Sequence, residues 1–192
     1  MNTAPARRRQ LAPDERRAAI IAATVPLLAE HGPAAACGQI AQAAGISQGT
    51  IFHVFADKQD LIDTTVRHVV DIDPLLAELG ALTVERSLYG RLATCDDMIT
   101  GHLVQAMPLL MKCGMPDGHE PKGRMMADVQ TAVAGLLRPD AAALTRPVDE
   151  LGGMFFFLCV AAVQQVVMGD GVMAPGDDIA ALFLDGARRR RG

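Results

Sequence analysis

The stretch from Cys37 to Phe55 constrains this chain more than any other. Ile40, Ala41 and Ala44 mark the apolar face of a short helix that Gly45 ends in the manner of a left-handed C-terminal cap. Ser47 then caps a second short helix, Gln48 to Phe55. Ile40, Ala44, Ile46, Ile51 and Val54 face inward, and small Ala41 falls where the two helices cross. The turn needs glycine for its backbone angle, and the crossing needs a small side chain. The second helix must be short to present its N-terminal residues to a DNA major groove. The pattern predicts a helix-turn-helix, although an ordinary helical hairpin in a bundle shares much of the spacing.

The segments around it are also helical. Pro13 with Asp14 and Glu15 starts a helix on which Ile20, Thr24, Leu27 and Leu28 recur at helical spacing, and His31-Gly32-Pro33 ends it. Pro26 inside this helix is expected to cost about 3 kcal/mol and to kink it, unless the helix ends earlier. Asp57 caps a fourth helix, Lys58 to about Ile72, with Leu61, Ile62, Thr65, Val66, Val69 and Val70 on one face, and Pro74 breaks the run. Further helices are expected over roughly Val84 to Cys113, Lys122 to Leu137, Val148 to Met168 and Asp177 to Arg191. No stretch alternates with a period of two, so the predicted fold class is all-α. The predicted organisation is a flexible basic arm over 1–12, a helix-turn-helix domain over 13–57 and a helical domain over 58–192, in which 58–72 is the connecting helix.

Charge is unevenly spread. The net charge is −4, yet Arg7, Arg8, Arg9, Arg16 and Arg17 crowd the first seventeen residues against only Asp14 and Glu15. Cys37, Cys95, Cys113 and Cys159 are scattered without a CxxC pair or histidines at zinc-ligand spacing, which predicts reduced thiols, no metal and a cytoplasmic setting. The N-terminal arginines are not followed by an apolar stretch, which argues against a cleaved signal peptide. The longest apolar run, Leu151 to Val163, is shorter than the roughly 20 residues that span a bilayer and predicts a buried helix with no membrane partner.

Ile40-Ala41, Ala44-Gly45-Ile46-Ser47, Gly49-Thr50-Ile51-Phe52, Phe55 and Lys58-Gln59-Asp60-Leu61 together resemble the N-terminal domain of the TetR family, over about Asp14 to Ile72. The resemblance implies a three-helix DNA-binding head, a connecting helix, and a helical C-terminal domain that binds an effector and pairs two subunits, usually to repress transcription. By position it assigns Gln48, Gly49, Thr50, Phe52 and His53 to the exposed side or leading end of the recognition helix, and Lys58 to the start of the fourth helix. Gln48 and His53 can hydrogen-bond base edges, Thr50 can meet a phosphate or a thymine methyl, and Lys58 can neutralise a phosphate. Phe52 packing the head and Lys58 as a solvated helix start are the competing readings. Ala35-Ala36-Cys37-Gly38 stands where the family commonly has Thr or Ser, and the connection from Gly32 is about one residue short. Operator affinity is then expected to depend more on Arg7 to Arg9, in the minor groove or on phosphates, with a solubilising tail as the alternative.

In the C-terminal part, Met107, Met111 and Met115 recur every four residues, with Met125, Met126 and Met154 expected nearby in a bundle. Flexible thioethers suit a pocket for an apolar effector, and gap filling in a core is the alternative. The candidate ligand-binding residues are Met107, Met111, Met115, Met126 and Phe156. Phe155, Phe156 and Phe157, and the seam Ile179, Leu182, Phe183 and Gly186, suggest two helices with surplus apolar surface. Phe157, Ile179, Leu182 and Phe183 are the candidate homodimer contacts, with an intramolecular core as the competing account. Arg188 to Arg191 complement the dipole of the last helix and receive no DNA role.

His68, His102, His119 and the carboxylates Asp71, Asp73, Asp96 and Asp97 form no HExxH, nucleophile elbow or phosphate loop, so no catalytic residue and no cofactor are predicted. The expected partners are a double-stranded DNA operator, an apolar small-molecule effector and a second copy of the chain. A helical ligand-binding or interaction module without specific DNA binding is the alternative.

Overall fold

The computed structural model describes residues 12–82, 87–116, 118, 122–169 and 178–188. Its helices are α1 (Pro13–His31), α2 (Cys37–Ala44), α3 (Gln48–Val54), α4 (Lys58–Val70), α5 (Asp73–Gly80), α6 (Leu88–Cys113), α7 (Lys122–Leu137), α8 (Val148–Met168) and α9 (Ile179–Ala187). No β-strand occurs among the described residues, where an isolated backbone bridge joins Leu144 to Arg188. The all-α reading holds.

Local chemistry sets the boundaries. Ser47 Oγ accepts the Thr50 N–H at 3.3 Å and Asp57 Oδ1 accepts the Asp60 N–H at 2.8 Å, so both expected N-caps form. Gly45 closes α2 at φ 67°, ψ 32°. At the start of α2, Ala36 has no capping side chain. Gln39 Oε1 reaches back to accept the Ala36 N–H at 3.2 Å. Pro26 does not end α1. Both Pro26 and Ala22, whose carbonyl loses its helical donor, are exposed, so water can satisfy the freed oxygen.

Two boundaries differ from expectation. α4 ends at Val70 rather than Ile72, and Pro74 opens a helix that the sequence did not announce. Proline fits the first turn because the amide it lacks has no helical partner there, and Asp71 Oδ1 accepts the Asp73 N–H at 3.1 Å. α6 begins at Leu88, with Ser87 Oγ accepting the Gly90 N–H, and the expected start at Val84 lies outside the described residues. α9 is capped by Asp178. The expected start at Asp177 and the arginines from 189 to 191 also lie outside the described residues, as do His119 and the Arg7–Arg9 arm.

Among the described residues three apolar clusters lie along the molecule. In the head, Ile20, Ile21, Ile40, Ala41, Ile51, Phe55 and Leu61 pack α1–α3 against the first turn of α4. In the body, Leu92, Ile99, Val133, Leu137, Phe155, Cys159, Phe183 and their neighbours join α5–α9. Between them Leu28, Ala35, Ile62, Val66, Val69, Val70, Ala106 and Leu109 fuse α1 and α4 to α6. α4 is therefore shared between head and body. A polar joint reinforces this middle layer: Lys112 Nζ on α6 donates to the carbonyls of Ala29 (2.6 Å) and Glu30 (2.7 Å), which the end of α1 leaves without helical donors. Deeper in the body, buried Arg91 donates from Nε to the Leu136 carbonyl at 3.2 Å and pairs with Asp140, holding the end of α7 to α6.

Candidate nucleic-acid interface and apolar cavity

The recognition helix α3 is held on its inner side and bare on its outer side. Ile51 and Phe55 are buried, whereas Gln48, Gly49, Phe52 and His53 are exposed. Phe52 is 46% exposed, so it does not pack the head. Gln48 Oε1 lies 3.8 Å from where a Cβ on Gly38 would sit, and a Cβ on Gly49 would meet nothing closer than Ser47 Oγ at 3.9 Å. The leading end of α3 thus offers the exposed Ser47 hydroxyl and Gln48 amide, and its last turn the His53 imidazole, with no bulk at 38 or 49 to keep a phosphate backbone away. Thr50 is half-buried and its hydroxyl shares a 2.9 Å hydrogen bond with Ser47.

Two cations brace the head. Lys58 Nζ donates to the Pro33 carbonyl at 2.7 Å, so it ties the start of α4 to the α1–α2 connection while remaining at the surface. Arg17 was visible in the sequence only as one charge of a basic arm. In the structure its guanidinium lies 4.5 Å over the Phe55 ring, donates to the Val54 carbonyl at 3.2 Å and reaches Thr64 Oγ1 at 3.4 Å. The aromatic Phe55 downstream was the available signal, but nothing in the spacing from 17 to 55 reveals that the two meet.

Residues 20–65 match the model of the bacterial regulatory proteins of the tetR family. Over these residues the head is similar to the DNA-binding domain of the TetR family. The HTH-type transcriptional regulator BetI of Burkholderia ambifaria (strain MC40-6) is 39% identical over 77 residues, which cover 40% of this chain and 37% of that protein. BetI of Burkholderia mallei (strain NCTC 10229) is 40% identical over 72 residues, or 37% of this chain and 34% of that protein. The chain thus matches little more than a third of the length of these relatives. Among solved structures, a TetR-family regulator from Mesorhizobium loti aligns with a TM-score of 0.62 at 15% identity, covering 94% of this chain and 100% of that one. NalD, the secondary repressor of the MexAB-OprM multidrug efflux pump in Pseudomonas aeruginosa, aligns with a TM-score of 0.60 at 19% identity over 92% and 97% of the two chains. These likenesses extend the TetR fold from head to body. The relatives are named as transcriptional regulators, which agrees with the expectation that the chain is not an enzyme.

In the body of this TetR-type fold lies a cavity of about 200 Å³, walled by the end of α4, the start of α5, and α6, α7 and α8. Met107, Met115, Met126 and Phe156 line it, joined by Met125. Met111 does not: it is exposed on the flank of α6. α6 ends at Cys113, so Met115 reaches the wall from beyond the helix end, where the four-residue spacing no longer sets its direction. Met154 is likewise exposed, on α8.

The seam expected on α9 divides in two. Ile179 and Phe183 are buried in the chain's own core, where the Phe183 ring meets Phe155 edge to face at 5.2 Å, so neither is available to a partner. Leu182 and Phe157 are more than half exposed. Periodicity gave the α9 face its spacing but not its direction. On α8, Met154, Phe157 and Met168 share the outward stripe, while Leu151, Phe155, Cys159 and Val163 face inward. With 21 residues and a mean hydropathy of 1.9 over an 18-residue window, α8 is by length and composition long enough to cross a bilayer, unlike the shorter Leu151–Val163 run. Its inner face nonetheless packs on α6, α7 and α9.

The four cysteines are free thiols. Burial pushes Cys95 up to about 12 and Cys159 further in the same direction, which makes both unreactive at neutral pH. The Cys159 thiol donates to Asp96, whose own carboxyl is raised chiefly by burial and has Oδ1 buried without a hydrogen-bond partner. Among the described residues no group of three metal-ligating side chains gathers.

Proposed function

We propose that this chain is a homodimeric transcriptional repressor that binds an inverted-repeat operator and leaves it when a small apolar molecule enters the body cavity. The observation that carries the reading is the outer face of α3, with Gln48, Gly49, Phe52 and His53 exposed on a head that matches the TetR family. In this reading Gln48 and His53 contact base edges, Thr50 and Lys58 lie against the phosphate backbone, and Gly49 and Phe52 form the close surface. The domains are a head over 13–57 and a body over 58–192 with α4 as their connection, preceded by the basic arm over 1–12.

Two copies pair through the outward stripe of α8 and α9, with Phe157, Met154, Met168 and Leu182 at its centre, which would cover apolar surface that one chain leaves in water. The heads then address half-sites about 34–36 Å apart or at a related spacing. Release is supported by the cavity wall, which contains Val70 at the end of α4 and flanks Lys112 with Leu110 and Met115. A ligand that repacks this wall strains both ties to the head. It acts only if it binds the non-binding arrangement more tightly.

Selection of bound sequences from a random DNA pool tests the reading. A recovered inverted repeat supports it, and recovery of no preferred sequence refutes it. On the recovered operator, Gln48→Ala and His53→Ala are expected to cost about 1–3 kcal/mol and to relax preference at one half-site position each. Lys58→Ala is expected to weaken all sequences alike and to reduce the salt slope by about 1. Equal losses on operator and random DNA for the first two variants overturn the assignment.

A further inference from the structure

The cavity wall is more informative about its ligand than the family likeness. Of the described side chains that line it, only His102 carries nitrogen or oxygen; the rest are Val, Ile, Leu, Ala, Phe and four methionines, Met107, Met115, Met125 and Met126. The backbone of α6, α7 and α8 behind them is engaged in its own helices. Among the described residues no carboxylate, lysine or arginine belongs to the wall. His102 supplies no lasting charge either, because burial lowers its pKa against a smaller opposing pull from Asp71. A charged group placed inside would lose its water and find no counter-charge on the described lining residues. Among the described residues Phe156 is the sole benzenoid ring of the wall, too few for the cage of rings that holds an organic cation.

Size narrows the class further. An apolar cavity of about 150 Å³ accepts benzene, so the 200 Å³ here suits a ligand of roughly eight to ten non-hydrogen atoms. A long acyl chain would leave most of its length outside it. Thioethers favour the edges of aromatic rings, and four of them converge on this space.

Resting on the reading that this cavity is the effector site, we infer that its ligand is a neutral, single-ring aromatic molecule of alkylbenzene size, held by methionine sulfur and aliphatic contacts and carrying no charged end into the wall. The molecule enters as a shape without a directional anchor. Selectivity is therefore set by volume and by exclusion of charge rather than by hydrogen bonding.

Three probes of nearly equal size separate the possibilities: ethylbenzene, benzylammonium and benzoate. The full-length chain is labelled at its ten methionine methyl groups and titrated with each probe, with NMR as the readout. Ethylbenzene is expected to shift the methyl signals of Met107, Met115, Met125 and Met126 while leaving Met111 and Met154 in place. Both ions are expected to bind at least about 100-fold more weakly. An ion that binds these four methionines within tenfold of ethylbenzene overturns the inference. Saturating ethylbenzene that moves none of the four overturns it as well. Operator affinity is measured in parallel. Cavity binding that leaves operator affinity unchanged upholds the ligand class and counts against the effector reading, so the two failures are distinguishable.

Discussion

Two adjacent glycines on α8 make opposite predictions. A Cβ built on Gly152 would stand 2.7 Å from the Gln130 carbonyl oxygen, 2.9 Å from the Ala134 nitrogen and 3.1 Å from Ala134 Cα. All three are backbone atoms of α7, so no side chain can swing aside and the two helices must separate. Overpacking of this kind costs up to about 3 kcal/mol, and the better helix propensity of alanine returns about 1 kcal/mol. Gly152→Ala is thus expected to lose about 2 kcal/mol, which for a chain of this size is a fall in Tm of about 4–8 °C. At Gly153 the same Cβ would meet only the Gln130 side chain, at 3.8 and 3.9 Å, which is ordinary contact. Gly153→Ala is therefore expected to gain up to about 1 kcal/mol. Thermal and urea unfolding at one fixed protein concentration compares the pair without interference from association. A Gly152→Ala protein as stable as the parent, or two variants shifted in the same direction, would refute the close approach of α7 and α8.

Phe157→Arg places a charge on the outward stripe of α8 and is expected to convert a dimer to monomers by light scattering with unchanged helicity; a variant that stays dimeric excludes this stripe as the interface. Asp96→Asn should stabilise the fold at neutral pH. Burial raises the carboxyl above its usual 3.8 against the Cys159 thiol, with Asp97 and Asp178 adding to the rise, so the folded state holds its proton to higher pH than the unfolded chain. The gain should grow as pH rises above 3.8 and vanish below it; a gain independent of pH contradicts the cause. Lys112→Met keeps the apolar stem but removes two hydrogen bonds from the end of α1, and should cost about 1 kcal/mol and speed amide exchange in the last turn of α1 and at Gly32. Unaltered exchange there would show that the joint carries no stability.

Features written within one turn of chain were legible in the sequence. Ser47, Asp57 and Gly45 announce their caps because each acts on amides or angles three residues away at most. The spans of α7 and α8 were readable because Pro and Gly bracket them. Pro74 was misjudged because proline both ends and begins helices, and the choice depends on Leu75 and Leu79 finding the body core. Met111 and Phe183 failed for a related reason. A period identifies a face but not what the face meets, and Phe183 meets Phe155 of its own chain. Arg17 and Lys112 were unreadable as joints because their partners, Val54 and Ala29, become neighbours only once the helices pack.

Arg17 grips the last residue of α3, the ring of Phe55 and the flank of α4 together, so α1, α3 and α4 turn as one piece. A reader built this way has no wrist. If Gln48 and His53 read bases as proposed, a wrong base under either is not accommodated by tilting α3 alone, because the tilt would tear the guanidinium from its carbonyl. The whole head must slip along the groove or let go. Discrimination between near-matching operators is then written in how long the protein stays rather than in how it sits.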